Sequence, residues 1–121
     1  MIIGFSTGCA YHHIDPASQE IVNIIRYLGC NAIEVHLSTI ERLQRASGTL
    51  DLHGFTYKSI HAPKIVGSDE QSRLALDLIK ELHEKHQFDA VTIHPDTIED
   101  FSIFSDYDLP FAFENMNDLK K

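Results

Sequence analysis

Five short segments rich in β-branched and aromatic residues alternate along this chain with segments of helical periodicity, and this alternation restricts the fold more than any other feature. No signal for a tight two-residue hairpin separates them, so the strands are expected to be parallel and joined by right-handed helical crossovers. The sequence therefore predicts an α/β domain built on a parallel sheet. The predicted strands are Ile2–Ser6, Ala32–Leu37, Tyr57–His61, Ala90–His94 and Leu109–Asn115.

Four helices are predicted in the connections, three of them from a start signal followed by an apolar stripe. The start signals are Asp15-Pro16 for the first helix, which Gly29 would end, and the capping-box pairs Ser38/Glu41 and Ser68/Gln71 for the second and third. The predicted stripes are Ile21, Ile24, Ile25 and Leu28; Ile40 and Leu43; and Leu74, Ala75, Leu78, Ile79 and Leu82. A brief fourth helix is predicted from Thr97 to Phe104.

The two faces of the predicted sheet differ in chemistry, because neighbouring residues of a strand point to opposite faces. One face receives large apolar residues: Ile3, Phe5, Ile33, Val35, Leu37, Ile60, Val91, Ile93, Phe111 and Phe113. The other face receives small or polar residues: Gly4, Ser6, Ala32, Glu34, His36, Ser59, His61, Ala90, Thr92, His94, Ala112 and Glu114.

This asymmetry distinguishes two fold classes. An open doubly wound sheet carries helices on both faces and needs both to be apolar. A barrel wall is apolar only on the outside, under its helices, and its inner face is free to form a site. The pattern thus favours a parallel (βα) barrel of TIM type spanning residues 1–121, incomplete at about five strands and four helices.

Three metal-binding residue types fall at equivalent positions of consecutive strands. His61, His94 and Glu114 lie at the carboxyl ends of strands three, four and five, which is the end where such barrels form active sites. Strands about 4.8 Å apart bring such side chains within reach of one ion. Two imidazoles and a carboxylate suit zinc with an open fourth position, and manganese and iron are alternatives.

Four further residues are expected at the same rim. Glu34 and His36 end the second strand, and His12 and His13 follow the first. We assign them to substrate binding or to support of the metal ligands. A metal ion there could generate hydroxide for hydrolysis, or polarise a carbonyl while a carboxylate moves a proton between sugar carbons.

Charge and composition exclude some function classes. The formal net charge of −8 opposes general binding to nucleic-acid phosphates. The sequence has no membrane-length apolar run and no signal-peptide pattern, so no membrane partner is expected. Cys9 and Cys30 are interpreted as free thiols, in keeping with a cytoplasmic protein.

Five segments resemble the xylose-isomerase-like barrels, a superfamily that includes endonuclease IV type apurinic endonucleases and sugar isomerases and epimerases. They are Ile2-Ile3-Gly4-Phe5-Ser6-Thr7, Ala32-Ile33-Glu34-Val35, Ser59-Ile60-His61-Ala62-Pro63, Thr92-Ile93-His94-Pro95 and Phe113-Glu114-Asn115. The resemblance implies a divalent-metal site on His61, His94 and Glu114, with Glu114 also a catalytic acid/base in the epimerase branch. It implies a sugar, a sugar phosphate or abasic nucleic acid as substrate. The His-Ala-Pro and His-Pro pairs favour the endonuclease branch, whereas Lys64 and the Gly-Phe-Ser-Thr strand depart from its pattern. The negative net charge and the Gly-Phe-Ser-Thr strand favour the sugar branch slightly.

A complete barrel of this type needs roughly 250 residues, about twice the 121 present. Three interpretations follow: the amino-terminal portion of an enzyme, an assembly with a second copy, or a small standalone protein with rearranged helices. We favour the first, and expect a homo-oligomer if the isolated chain is stable, because its edge strands would be unpaired. The alternative function is a non-catalytic barrel remnant that at most binds a metal.

Overall fold

A single parallel sheet organises the protein. The structure is a computed structural model that describes residues 4–6, 15, 17–48 and 50–114. The sheet has five strands in the order β1-β2-β3-β4-β5, and every neighbouring pair is parallel. The strands are β1 (Gly4–Ser6), β2 (Ala32–His36), β3 (Tyr57–His61), β4 (Ala90–Ile93) and β5 (Phe111–Phe113). The predicted α/β class and parallel sheet are confirmed.

Helices fill the connections. The α-helices of the described residues are α1 (Gln19–Tyr27), α2 (Ile40–Ser47) and α3 (Glu70–His86). Where the sequence predicts one brief helix, Thr97–Phe104, two 3-10 helices, Pro95–Thr97 and Phe101–Asp106, join β4 to β5. The side chain of Asp100 accepts a hydrogen bond from the Ser102 amide and starts the second 3-10 helix. The extended backbone of Ile98 and Asp100 separates the two 3-10 helices.

Each α-helix begins at a capping residue close to, but different from, the predicted one. Ser18 caps α1, because Asp15 instead forms a turn in which its carbonyl oxygen accepts from the Ser18 amide. Thr39 rather than Ser38 caps α2, and Asp69 rather than Ser68 caps α3. Neighbouring residues of the same capping type compete for one position, and the sequence pattern does not rank them.

The apolar face of the sheet and one stripe of each helix form the core. Six apolar residues of this face are at most 1% exposed: Ile33 and Val35 of β2, Leu37 directly after it, Ile60 of β3, and Val91 and Ile93 of β4. The predicted stripes are partly wrong, because Ile24, Leu28 and Leu74 are exposed while Val22 and Leu76 are buried. Residues three and four positions apart both lie on nearly the same face of a helix, so the sequence allows more than one set of buried positions. Packing against the sheet decides which set is buried.

The opposite face of the sheet is small, polar and only partly covered. Ala32 and Ser59 are buried there, whereas Glu34, His36 and Thr92 are half-buried. A Cβ atom added to Gly4 would come within 2.8 Å of the Ala32 carbonyl oxygen, so the first two strands approach closely on this face. The predicted chemical difference between the two faces is thus present in the fold.

The sheet is open, with β1 and β5 at its two edges, so the described residues form no closed barrel. Within the same ranges, no helix has the length and apolar character needed to cross a membrane. Cys30 is a buried free thiol, as predicted; Cys9 lies outside the described residues.

Candidate metal centre

The carboxyl ends of β3, β4 and β5 position the three predicted ligands. His61 is the last residue of β3, while His94 and Glu114 directly follow β4 and β5. The Glu114 amide donates a hydrogen bond to the Ile93 carbonyl oxygen at 2.9 Å, which extends the β4–β5 pairing by one step. Residues two apart in a strand share a face, so all three side chains project from the polar face at one end of the sheet.

The three side chains converge. One ligand atom from each of His61, His94 and Glu114 lies within 4.8 Å of the other two. The Nε2 atoms of His61 and His94 are 2.6 Å apart, and the ring centroids are 4.5 Å apart. The Oε2 atom of Glu114 is 3.4 Å from His94 Nδ1. The prediction that these residues share one space is therefore correct.

Two imidazole nitrogens that face each other cannot both carry a hydrogen. One Nε2 must donate and the other accept, so the Nε2 of one ring carries a hydrogen and the Nε2 of the other ring does not. Burial lowers the pKa of His61, and the nearby charge of His94 lowers it further, while Glu34 and Glu114 oppose the shift. The neutral imidazole, which is the form that binds a metal, is therefore favoured at His61.

The donor atoms fit a divalent ion after small side-chain rotations. Tetrahedral zinc with bonds of about 2.0–2.1 Å separates its ligand atoms by about 3.3–3.4 Å. The His61–His94 nitrogen pair is closer than this at 2.6 Å, and the widest separation in the group is within 4.8 Å. Adjustments of about 1 Å in side chains at strand ends reach the required spacing.

The Nδ1 atoms of His61 and His94 have different surroundings. His94 Nδ1 has the Glu114 carboxylate beside it, whereas His61 Nδ1 is buried and has no hydrogen-bond partner among the described residues. Metal-binding imidazoles ordinarily donate their second N–H to an acceptor that sets the ring orientation. Glu114 thus has two roles open to it, as a direct ligand or as the group that orients His94.

His36 and Glu34 lie beside the three ligands, as predicted. His36 pairs with His61 in the β2–β3 register, and their rings stack with centroids 4.4 Å apart at an angle of 25°. Burial lowers the pKa of His36, followed by the charges of His61, Arg42 and His94. The Glu34 carboxylate favours the charged form of His61. His12 and His13, the other predicted rim residues, lie outside the described residues.

One charged residue near this site was missed by the sequence reasoning. Arg42 lies in the first turn of α2, and its Nη1 donates to Ser38 Oγ at 2.9 Å. Its charge reaches His36. The signal was available, because the start of a helix after a β-strand lies at the same end of a parallel sheet as the strand's carboxyl end.

Comparisons with known proteins give no relative. No protein-family profile, no curated protein and no solved structure matches this chain. The interpretation of the site therefore depends on its residues and their geometry.

Proposed function

We propose that His61, His94 and Glu114 bind a divalent metal ion, zinc by preference, and that the chain is a metal-dependent enzyme or a portion of one. The observation that carries this proposal is the approach of two imidazole Nε2 atoms, 2.6 Å apart, beside a carboxylate. All three come from the carboxyl ends of adjacent parallel strands, where α/β proteins form active sites.

The proposal includes the architecture. We interpret the five parallel strands as the first five of a xylose-isomerase-like (βα) barrel of TIM type. In support, the strand order follows the chain order without interruption, and the large buried aliphatic residues of the sheet lie on the helix-covered face. The small and polar face then corresponds to the inside of the barrel.

The site residues have distinct chemical tasks in this proposal. A bound ion would polarise a carbonyl oxygen or lower the pKa of water. His61 and His94 would hold it as neutral imidazoles. Glu114, 42% exposed at its side chain, would exchange a proton with the substrate as general acid or base. Glu34 and His36 would support His61 from the next strand, and His12 and His13 stay proposed as substrate contacts.

A sugar or sugar phosphate is the preferred substrate class, with abasic nucleic acid as the other candidate. The net charge of −8 disfavours long-range attraction of a polyanion. Proton exchange at a sugar carbon, followed by NMR in deuterated water, would support the isomerase or epimerase assignment. Cleavage of abasic duplex by the metal-loaded protein would support the hydrolase instead.

The test of the metal site is direct. Calorimetric titration with Zn²⁺, Mn²⁺ and Fe²⁺ should give one site, and saturation at 100 times Kd should raise the free energy of unfolding by about 2.7 kcal/mol. We expect His61→Ala and His94→Ala each to abolish this increase. The control is His53→Ala, because His53 is exposed and belongs to the loop before β3. Unchanged metal binding in His61→Ala would refute the proposal.

The second candidate is a chain that binds metal without catalysis. The observation in its favour is that Glu114 follows an edge strand, so the site is open on one side. Catalytic metal sites usually exclude water around the reacting atoms. Metal binding without turnover of a ketose or abasic DNA would select this candidate, and turnover by the chain alone would eliminate it.

A further inference from the structure

A second cleft lies at the opposite end of the sheet from His61 and His94. Its walls are the loop that leads into β3, the first half of β3 and the end of α3, and its volume is ≈ 480 Å³. That volume is in the range of small-molecule sites. Because loops at the amino ends of parallel strands form it, the cleft is separate from the proposed metal centre.

The cleft gathers basic side chains in a protein of net negative charge. Lys58, Lys85, His53 and His86 line it, with Asp51 as the acidic member. Both oxygens of the Asp51 carboxylate lie 2.9 Å from His53 Nδ1, so this acidic group contacts the histidine. Among the residues that the structure describes, neither lysine ammonium makes an ion pair. Two ammonium groups and one carboxylate therefore line one cavity, which leaves an excess of positive charge.

The charges of the two lysines act on the imidazole of His86, which also lines the cleft. Burial lowers the pKa of His86, and the charges of Lys85 and Lys58 lower it further, with Asp51 acting in the opposite direction. His86 Nε2 is also buried and has no hydrogen-bond partner among the described residues. Because that nitrogen is covered, the lysines are the groups available for direct contact with a ligand.

The loop that forms one wall is held in place. Arg26 donates from Nη2 to the carbonyl oxygens of Asp51 and His53, at 2.9 and 3.2 Å, and its guanidinium lies over the Phe55 ring at 5.2 Å. A wall with fixed backbone loses little entropy when a ligand binds.

We propose that this cleft binds the phosphate group of a small molecule through Lys58 and Lys85. Two separate ammonium groups match the two negative charges of a phosphate monoester, whereas a single carboxylate would leave one of them uncompensated. The proposal is independent of the metal centre and stands whether or not that site is catalytic.

The test is a titration of the ¹⁵N-labelled full chain with inorganic phosphate, followed by NMR at constant ionic strength. Shifts should saturate and should cluster at residues 50–53, 58 and 85–86. Lys58→Gln and Lys85→Gln should each raise the apparent Kd about tenfold, and Lys58→Arg should restore binding. The matched control is Lys80→Gln, which removes the same charge from an exposed position of α3.

Further readouts separate specific binding from screening. Bound phosphate should raise the pKa of His86, because an anion favours the imidazolium form. Equal shifts with sodium chloride, or equal weakening by Lys80→Gln and Lys85→Gln, would overturn the proposal. Malonate that binds as tightly as phosphate would overturn the assignment to a phosphate group.

Discussion

Single residues set the protonation chemistry of this protein. His36 and His61 are register partners in β2 and β3, and His94 lies two residues beyond Thr92, the partner of His61 in β4. Three imidazoles at these separations cannot all be charged without strong repulsion. Together with burial, this explains why the pKa values of His36 and His61 are lowered. The neutral imidazole is therefore favoured at His36 and His61, and the proposed metal site needs this form of its ligands.

Stability should therefore fall in mild acid. Burial lowers the pKa values of His36, His61 and His86 below their ordinary value, which is about 6.5. In the unfolded chain these groups bind protons at higher pH than in the native protein. Above about pH 6.5 these imidazoles are mostly neutral in both states, and the native protein has its full stability. As the pH falls from that value toward the lowered pKa values, the unfolded chain binds protons first and the free energy of unfolding decreases.

Urea unfolding between about pH 7.5 and pH 5 measures this effect. We expect the free energy of unfolding to decrease across the interval, and His86→Asn to reduce the decrease. A free energy of unfolding that stays constant or rises as the pH falls would contradict the expectation.

A buried hydroxyl fixes the loop that follows His61. Ser72 is 2% exposed, and its Oγ accepts a hydrogen bond from the Val66 amide at 3.0 Å. Ser72→Ala would leave that amide unpaired and should lower the free energy of unfolding by about 1–3 kcal/mol. Chemical denaturation tests this, with Ser105→Ala at an exposed position as the control. Equal effects of the two substitutions would show that the hydrogen bond between the Val66 amide and Ser72 Oγ does not add to the free energy of unfolding.

At the scale of elements, α3 ends in a strained residue. Gln87 has φ 55 and ψ 75, which is left-handed backbone, and its amide donates to the His83 carbonyl oxygen at 2.8 Å. Glycine adopts this conformation without the clash that a Cβ atom causes. The Phe88 amide donates to His83 Nδ1 at 3.0 Å, so the turn is held by hydrogen bonds that do not involve the Gln87 side chain.

Gln87→Gly should raise the free energy of unfolding by up to about 1 kcal/mol, because it removes the left-handed strain. Gln87→Ala keeps the strain and should give no such gain. Thermal unfolding of both variants distinguishes the two effects, and a loss of stability in Gln87→Gly would contradict the interpretation.

At the scale of the whole molecule, the β5 edge of the sheet differs from its centre. The central strands are buried on their apolar face, but Phe101 and Phe113 beside the β5 edge are 54% and 46% exposed. Their rings lie 5.9 Å apart and form a small aromatic surface. Exposed aromatic residues next to an unpaired strand favour association.

We expect the isolated chain to form a homo-oligomer through this edge. Light scattering during size-exclusion chromatography should show association that weakens in the double variant Phe101→Ser, Phe113→Ser. Tyr27→Ser is the control, since Tyr27 is exposed on α1 and does not belong to the aromatic surface. A chain that stays monomeric at high concentration, or that dissociates equally with Tyr27→Ser, would refute this expectation.

Much of this architecture follows from the residues alone. The parallel sheet, the third strand at Tyr57–His61 and the difference between the two faces come from local alternation of apolar and polar residues. The convergence of His61, His94 and Glu114 was also predictable, because the carboxyl ends of adjacent parallel strands lie at one edge of the sheet. Their equivalent positions were not, since the register pairs His61 with Thr92 and places His94 two residues further.

Other features depend on tertiary packing. Packing against the sheet decides which residues of α1 are buried. The path of the backbone into α2 decides that Thr39, and not its neighbour Ser38, caps the helix. The cleft at Lys58 and Lys85 joins residues far apart in the chain. Local patterns encode periodicity and end signals, whereas these contacts are decided by how distant elements meet, and no short-range rule contains that information.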